Sequence, residues 1–529
     1  MLRSVRAPRG MVSAPHQLAA QAGVAVLRDG GNAVEAMVAA AATIAVVYPH
    51  MNAIGGDGFW LIAPPNGDPV AVLACGAAGA NVDRAFYRRR GLSEIPPRGP
   101  LAANTVAGTV GGWDAALRIG ASLGGRLPLP RLLADAIGYA RDGFPVSAGQ
   151  AAMTAIKRAE LADVAGFAGA FLPSGELPRA GEVFRQPRLA ATLEALARDG
   201  LDSFYRGGTA RVVAKDLARV GSPVTADDLG AYRARVEKPL QVRLSCGDVY
   251  NVGPPTQGVS SLTILALFDR LGVNAADGFD HVHGLVEATK RAFIVRNREV
   301  ADPAAMPAEA ASLLAEERLD AARRAIDMRR ALPWPVKSLP GDTIWMGAID
   351  GNGVAVSFIQ SVYWEFGSGV VLEDSGITWQ NRGCSFSLDD AALNRLEPGK
   401  RPFHTLNPAL ARLSDGRTMV YGTMGGEGQP QTQAAVFTRH VLFGQDIQSA
   451  ITAPRWLLGR TWGAQSTTLK LESRFDPGLV GALREAGHDV EIVGSFDDVM
   501  GHAGAVIRHV DGMLVGAAAP RSDGAAAGF

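Results

Sequence analysis

The chain has 529 residues and a formal net charge of zero, from 52 basic and 52 acidic side chains. At roughly 150 residues per domain, this length predicts three or four folding units and allows a large buried core. The even charge balance, with no basic run, argues against nucleic acid as a partner. Cys75, Cys246 and Cys384 have no C-x-x-C spacing, so we expect neither a disulfide framework nor a zinc site, and a reducing compartment is favoured.

The amino terminus offers no targeting or membrane signal. MLRSVRAPRGMVSAPHQ contains basic residues but no apolar segment behind them, which is atypical of a signal peptide. The most apolar early stretch, Val38 to Val47, is too short to cross a bilayer. We therefore expect a soluble, cytoplasmic protein with no membrane partner.

The first part of the chain alternates helical and strand-like segments. Residues 17–47 are Ala-rich, with apolar residues three and four apart, which predicts helix. Two glycine-rich segments follow: NAIGGDGFW (52–60) enters the strand FWLIA, and NTVAGTVGGW (104–113) precedes a helix over 114–123. Neither matches a phosphate-binding loop, and we interpret both as tight turns. Residues 130–235 are predicted to be mostly helical.

The middle of the chain returns to strand and then to helix. Strand character appears over 242–252, and PPTQG (254–258) is a turn into the helix SSLTILALFDRLG. A further helix is predicted over 280–298. Its His281 and His283 lie on different helix faces because of their i,i+2 spacing, so we expect surface or packing roles and no metal site.

The character of the chain changes again before residue 343. A helical segment gives way to LPWPVKSLPGD, whose three prolines favour an exposed, extended connector. From Thr343, the runs TIWMGAID and VAVSFIQS flank an Asn-Gly turn, which is typical of a hairpin. The later strand TMVYGTM leads to Gly425-Gly426, and Pro430 suits the first turn of the helix that follows.

A threonine at the start of a strand, after such a connector, is suited to act as a nucleophile. A hydroxyl is a weak nucleophile and needs a nearby base. An α-amino group has a pKa of about 7.7–8.0 and can serve as that base. Cleavage between Asp342 and Thr343 would place both groups on one residue, so that processing creates the active nucleophile. By itself, however, a Gly-Asp-Thr triplet before a strand usually indicates only a turn.

The surroundings of Thr343 resemble those in the γ-glutamyltransferase family, and the resemblance extends over nearly all of the chain. Its motifs occur in family order: DGGNAVEA, NAIGGDGF, GTVGGW, ARDGFPVS and GPPTQG before residue 343, then TIWMGAID, FGSGVVLEDSGITWQN, KRPFHTLNPAL, GTMGGEGQ and PRSDGAAAGF. Several independent motifs in one order make a chance similarity implausible.

The resemblance implies an α+β fold of the N-terminal nucleophile hydrolase type, a four-layer αββα sandwich without cofactor or metal. It implies autocleavage into a large subunit (1–342) and a small subunit (343–529) that share one core and pair as a heterodimer, with further dimerisation left open. Thr343 matches the family's nucleophile, Ser361 its supporting hydroxyl, and Gly425 and Gly426 its oxyanion hole. Backbone donors of this kind contribute about 3–4 kcal/mol to transition-state stabilisation, and glycines permit the close approach that they need.

The chain departs from the family where the substrate binds. The family's Arg for the donor α-carboxylate aligns with Gly76, and the Asn and acidic residue for the α-amino group align with Tyr363 and Ser385. A neighbouring Gln is replaced by Arg382. The serine pair before the oxyanion strand becomes His404 and Thr405.

These changes make the predicted donor pocket more positive and smaller. An ammonium group would lose its partner, whereas a carboxylate could pair bidentately with Arg382. Tyr363 would fill space. We therefore predict a small or medium amide substrate that carries a carboxylate and no α-amino group, as in the oxamate amidohydrolase and glutaryl-type cephalosporin acylase branches. The alternative is that Arg382 is structural and other residues hold a glutamyl donor.

Three functions remain open at this stage. The first is an amidohydrolase of small amide acids, and the second is a γ-glutamyltransferase acting on glutathione-like donors. The third is a non-catalytic relative, which would be expected to have lost the nucleophile, its supporting hydroxyl or the glycine pair. An ordinary serine hydrolase is disfavoured because no G-x-S-x-G motif occurs, and a metallohydrolase because none of the nine histidines has an H-E-x-x-H spacing.

Overall fold

The computed structural model describes residues 3–336, 341–460 and 466–529. The strands, in chain order, are β1 (Val5–Ala7), β2 (Gly10–Ala14), β3 (Asp57–Ala63), β4 (Val70–Ala74), β5 (Phe144–Pro145), β6 (Val183–Phe184), β7 (Arg235–Glu237), β8 (Leu240–Leu244), β9 (Gly247–Asn251), β10 (Asp342–Asp350), β11 (Ala355–Tyr363), β12 (Ala409–Leu413), β13 (Thr418–Gly422), β14 (Trp456–Leu458), β15 (Leu469–Glu472), β16 (Val490–Val493), β17 (Gly504–Arg508), β18 (Leu514–Ala518) and β19 (Ala525–Gly528).

The α-helices are α1 (Gln17–Arg28), α2 (Ala33–Val47), α3 (Arg84–Arg88), α4 (Thr109–Ser122), α5 (Leu129–Asp142), α6 (Ala148–Leu161), α7 (Phe167–Phe171), α8 (Pro187–Asp199), α9 (Ser203–Arg206), α10 (Gly208–Val220), α11 (Ala226–Ala231), α12 (Gly258–Asp269), α13 (Phe279–Glu299), α14 (Glu316–Arg324), α15 (Gly428–Phe437), α16 (Ile447–Thr452) and α17 (Pro477–Glu485). None of these described helices combines the length and apolar character that crossing a bilayer requires.

Two seven-stranded antiparallel sheets form the centre of the molecule. One has the order β1-β18-β17-β13-β12-β9-β8 and the other β19-β2-β10-β11-β3-β4-β7. Smaller sheets are formed by β14-β15-β16 and β5-β6. The central position of β10 places Thr343 at the end of a strand that is paired on both edges, with β2 and β11.

Three layers of apolar side chains hold the sheets and helices together. One cluster lies between the sheets, where Trp345 of β10 meets residues such as Val420 of β13. A second packs α1, α2, α4, α5 and α8 on the outer face of the β10 sheet, and a third packs α12, α13 and α15 on the other sheet. The arrangement is the predicted αββα sandwich, and the fold prediction is confirmed.

Helix boundaries differ from the sequence-based prediction in two places. The helical stretch 17–47 is two helices, because Asn32 caps α2 through a capping box with Glu35 and ends the continuity of the helix. Helix α4 begins at Thr109, so it includes part of the second glycine-rich segment. There the glycines allow close packing, since a Cβ atom on Gly112 would lie 2.6 Å from the Cβ of Ala74.

The predicted hairpin and the helix after Gly425-Gly426 are confirmed. Strands β10 and β11 flank Asn352 and Gly353, and Gly353 has a φ of 91°. Pro430 lies in the first turn of α15. Of the predicted connector 332–342, residues 337–340 lie outside the described residues.

Candidate active site

Thr343, at the start of β10, lies opposite a β-bulge in β11. Asp342 pairs with Tyr363 and Ile344 pairs with Gln360, so Thr343 faces two residues of β11, Ser361 and Val362. Bulges of this kind redirect a side chain and are common beside active sites. Thr343 is fully buried, and its Oγ1 accepts a hydrogen bond from Nε2 of Gln429 at 3.4 Å.

Ser361 and Tyr363 lie at the end of β11, beside the start of β10 and Thr343. The backbone N–H of Tyr363 donates to Oγ of Ser361 at 2.8 Å. Tyr363 has a φ of 86°, a left-handed conformation that costs a bulky residue of the order of 1–3 kcal/mol. Burial of the ring and stacking with Arg382, whose Cζ lies 3.8 Å from the ring centroid, help to hold this conformation.

The glycine pair lies between β13 and α15, as predicted. Gly425 and Gly426 have φ values of 119° and 51°, which L side chains rarely adopt. The carbonyl of Gly426 accepts hydrogen bonds from Nε2 of Gln257 at 2.8 Å and from the backbone N–H of Gln429 at 3.3 Å. With its carbonyl fixed in this way, the peptide plane of this loop has a defined orientation.

A buried polar network supports that loop from the segment before residue 343. Gln257 donates to the carbonyls of Gly426 and Thr405 and accepts from Nη1 of Arg296 at 2.9 Å. Arg296 also forms an ion pair with Glu427 at 2.7 Å, and both side chains are nearly fully buried. This network therefore links the predicted large subunit to the predicted oxyanion loop.

Gly341, two residues before Thr343, lies against the glycine pair. A Cβ atom on Gly341 would be 3.1 Å from Cα of Gly426, 3.3 Å from Oγ1 of Thr405 and 3.5 Å from Cε2 of Tyr363. The uncleaved chain therefore passes between the glycine pair and two of the residues predicted to bind substrate.

Arg382, His404 and Thr405 carry buried polar groups that lack hydrogen bonds. Within the described part of the chain, no hydrogen bond reaches any guanidinium nitrogen of Arg382, either ring nitrogen of His404 or Oγ1 of Thr405. Each side chain is at most 1% exposed. Buried polar groups are normally hydrogen-bonded, so these groups are suited to a ligand. We call these three residues the carboxylate pocket, after the substrate group that the sequence analysis predicts there.

Asp57, at the start of β3, lies beside the carboxylate pocket. Its Oδ1 accepts from the backbone N–H groups of Gly76 at 3.2 Å and Gly108 at 3.0 Å and from Gln380, whereas Oδ2 lies 3.5 Å from Nε2 of His404. Burial raises the pKa of Asp57 to about 7, although Arg382 and the hydrogen bonds oppose the shift. Burial and the nearby Arg382 hold the pKa of His404 well below its usual value. The Asp57–His404 pair is therefore not a salt bridge near neutral pH.

The other two predicted substrate-binding residues contribute differently. Gly76 has no room for a side chain, because an added Cβ would lie 1.7 Å from the carbonyl oxygen of Val106. Its backbone N–H supports Asp57 instead. Ser385 is half-buried, one short helical turn after Arg382, and donates to the carbonyl of Phe403 at 3.3 Å.

The sequence-based prediction missed several side chains of this site. Asp57, Gln257 and Gln429 lie within the motifs NAIGGDGF, GPPTQG and GTMGGEGQ that carry the family resemblance, and Glu427 lies in the last of these. The first two segments were interpreted as turns, so their polar residues were overlooked. Arg296 has no sequence signal, because it is one of several arginines on α13.

The histidines of α13 are both buried, so the surface alternative for them is wrong. His281 contacts Thr438, whereas Nδ1 of His283 lies 2.9 Å from Nε2 of His488. His283, Glu287 and His488 are close enough to hold a metal ion. Glu287, however, accepts from Lys290 at 2.7 Å, and His283 also contacts the carbonyl of Asp327, which indicates a packing role.

Comparisons with known proteins test the family resemblance. The γ-glutamyltranspeptidase family model matches residues 19–529. An oxamate amidohydrolase proenzyme from Klebsiella pneumoniae is 58% identical over 98% of both chains. A glutathione hydrolase-like proenzyme from Bacillus subtilis is 42% identical over the full length of both. The crystal structure of a cephalosporin acylase from Bacillus halodurans is 33% identical, with a TM-score of 0.92 over 100% of this chain and 97% of that one.

The family model covers almost the whole chain, and each of these relatives is matched over nearly its full length. The resemblance stated from the motifs is thus confirmed. The chain is an enzyme that belongs to the γ-glutamyltranspeptidase family of N-terminal nucleophile hydrolases.

Proposed function

We propose that the chain cleaves its own Asp342–Thr343 bond and then uses Thr343 to hydrolyse the amide of a small, carboxylate-bearing donor, for which oxamate is the best candidate. The observation that carries this proposal is the buried guanidinium of Arg382, which no described residue hydrogen-bonds. The relative that is named an oxamate amidohydrolase, 58% identical to this chain, supports the same substrate class.

The electrostatics of the carboxylate pocket favour an anion over an ammonium group. Arg382 is the charged group, and burial lowers its pKa from the usual value, so its charge is costly without a partner. A substrate carboxylate can accept two parallel hydrogen bonds from a guanidinium and offset that cost. Neither Tyr363 nor Ser385 supplies the carboxylate that an α-amino group would need.

The bulk of Tyr363 favours a small donor. Its ring is buried, contacts Arg382 on one side and approaches the chain at Gly341 on the other. A large side chain in this place reduces the room for a substrate, which supports a compact donor such as oxamate over a γ-glutamyl group.

The proposed turnover has two steps. Oγ1 of Thr343 attacks the amide carbon while the α-amino group of the same residue takes the hydroxyl proton, and the oxyanion faces the backbone N–H groups of Gly425 and Gly426. The proton passes to the leaving nitrogen, ammonia departs and an ester remains on Thr343. Water then hydrolyses the ester, so oxamate and water give oxalate and ammonia.

The two pieces formed by cleavage are proposed to stay together as one core. Strand β10 lies between β2 and β11, β11 pairs with β3, and β12 pairs with β9. Each sheet thus contains strands from both sides of residue 343 that pair with each other, and separation would break several ladders. This arrangement supports a heterodimer of 1–342 and 343–529 rather than two independent domains.

The first experiment is intact mass measurement of the purified protein beside Thr343→Ala. We expect fragments that end at Asp342 and begin at Thr343 in the wild type, and a single intact chain in the variant. Ser414→Ala, a change of a surface turn residue in the same subunit, is the control and should cleave normally. Cleavage of Thr343→Ala at the same bond would refute the proposal.

The second experiment is a substrate panel, which separates this proposal from the alternatives. Ammonia release is measured with oxamate and with glutaryl amides, and p-nitroaniline release with γ-glutamyl-p-nitroanilide plus glycylglycine. We expect the highest kcat/KM with oxamate. Strong transfer from the glutamyl donor would instead support a γ-glutamyltransferase, and no turnover by a cleaved protein would support the non-catalytic alternative.

A further inference from the structure

The side chain of Gln429 donates a hydrogen bond to Oγ1 of Thr343. It lies in the first turn of α15, three residues after Gly426, and its side chain is fully buried. No role for this glutamine follows from the motifs that identify the nucleophile and the glycine pair.

The orientation of the Gln429 amide is fixed by a backbone group. Its Oε1 accepts a hydrogen bond from the N–H of Asn407 at 3.2 Å, which a nitrogen in that position could not do. Nε2 must therefore be the atom that faces Thr343, at 3.4 Å from Oγ1. Catalytic hydrogen bonds are often this long in a free enzyme and shorten in the complex with substrate.

An amide nitrogen can only donate, so Oγ1 of Thr343 must be the acceptor in this contact. The hydroxyl proton of Thr343 must therefore point away from Gln429, and one lone pair of Oγ1 is directed at Nε2 of Gln429. As Oγ1 loses its proton during attack, the same N–H would stabilise the growing negative charge.

We infer that Gln429 is a positioning residue for the nucleophile, in self-cleavage and in substrate hydrolysis. In self-cleavage, Oγ1 bonds to the carbonyl carbon of Asp342, the C–N bond breaks and the amine of Thr343 takes the proton. Water then hydrolyses the resulting ester. Gln429 keeps Oγ1 oriented in both reactions and is not itself consumed. This inference rests on the proposed function, because it requires Thr343 to be the nucleophile.

The test compares Gln429→Leu and Gln429→Glu with matched changes at Gln433. Gln433 is also buried on α15 and also bonds to Asn407, through the carbonyl, but it has no described contact with Thr343. Self-cleavage is followed on denaturing gels, from pH 4.5 to 8, after the proteins are purified from a short expression.

We expect Gln429→Leu to slow self-cleavage by at least about tenfold, because a donor to the reacting oxygen is lost. Gln429→Glu should be slow at pH 8, where an ionised carboxylate can only accept, and should recover as pH falls and the protonated carboxyl can donate. The ionisable groups that surround the site, among them Asp57, Arg296, Tyr363, Arg382, His404, Glu427 and Arg460, are unchanged in all variants. Gln433→Glu and Gln433→Leu should therefore keep the pH profile of the wild type.

The inference is overturned if Gln429→Glu follows the wild-type pH profile, or if Gln433→Glu acquires the same low-pH recovery. Normal cleavage of Gln429→Leu would also overturn it. Thr343→Ala on the same gel keeps the two hypotheses apart. If it stays intact while the Gln429 variants cleave normally, only the role of Gln429 fails.

Discussion

The backbones of Gly341 and Gly426 are in contact. A Cβ atom on Gly426 would lie 3.1 Å from both the amide nitrogen and the carbonyl oxygen of Gly341. The residue two positions before the proposed nucleophile thus lies against the proposed oxyanion loop. In the uncleaved chain Gly341 therefore occupies part of the proposed site, and under the proposed function we expect cleavage to free this segment before substrate binds.

Gly341→Val should slow self-cleavage by about tenfold, because a branched side chain there would overlap the glycine pair and cost about 1–3 kcal/mol. Turnover per cleaved molecule should be nearly unchanged, since residue 341 becomes part of a free chain end. A time course on denaturing gels measures the rate of self-cleavage, and ammonia release per cleaved enzyme measures turnover. Gly138→Val, where an added Cβ meets nothing within 4 Å, is the control. Equal cleavage rates for the two variants would contradict the prediction.

Arg382→Gln should affect binding and stability in opposite directions. Loss of a charged hydrogen-bond pair, worth about 2–3 kcal/mol, should raise KM for oxamate by about 30- to 150-fold. The melting temperature should be unchanged or higher, because an unpaired buried charge is removed. Arg455 provides the contrast: it is equally buried, but its guanidinium donates to three backbone carbonyls, including that of Gly501 at 2.6 Å. Arg455→Gln should lower the melting temperature. A comparable loss in Arg382→Gln would indicate a structural role for Arg382.

Asp57 should make stability fall as pH rises from about 4 to 7. Its pKa is about 7 in the fold against 3.8 for the free group, so over this range the folded protein holds a proton that the unfolded chain has released. The contribution is about 4 kcal/mol at most. Melting temperatures of Thr343→Ala with and without Asp57→Asn, measured from pH 5 to 8, test the sign. The difference between the two should grow in favour of the Asn variant as pH rises, and a constant difference would show that Asp57 does not titrate there.

The carboxyl group of Asp57 should also influence substrate binding. Above pH 7 an ionised Asp57 would repel the substrate carboxylate and partly neutralise the positive charge of Arg382. The KM for oxamate should therefore rise. In Asp57→Asn, KM should be independent of pH through this range. A KM in the wild type that stays flat up to pH 8.5 would argue against a substrate carboxylate beside Asp57.

Arg296→Met should both destabilise the protein and reduce catalysis. It leaves the buried carboxylate of Glu427 without its partner, which costs about 3–5 kcal/mol, and it frees Gln257 to rotate away from the carbonyl of Gly426. Adding Glu427→Gln should restore most of the melting temperature, because the unpaired charge is removed, while kcat stays low. If the double variant regains full kcat, the network does not orient the glycine loop.

The hairpin after residue 343 illustrates what could be predicted from the sequence. Asn352-Gly353 and the two β-rich runs are local signals, and the structure has both strands where they were expected. The break between α1 and α2 was missed, although the capping residues Asn32 and Glu35 are visible in the sequence, because continuous apolar spacing concealed it. The glycine-rich segment 52–60 was interpreted only as a turn, yet Asp57 enters the site from it.

The family, and with it the prediction of roles for Thr343 and the glycine pair, followed from the sequence alone, because the resemblance is carried by short motifs of adjacent residues in one order. The roles of Asp57, Gln257, Arg296 and Gln429 were decided only by the tertiary structure. Contacts such as Arg296 with Glu427, Gln257 with Gly426 and Asp57 with His404 join residues 131, 169 and 347 positions apart, and burial and hydrogen bonding of this kind do not depend on neighbours in the chain.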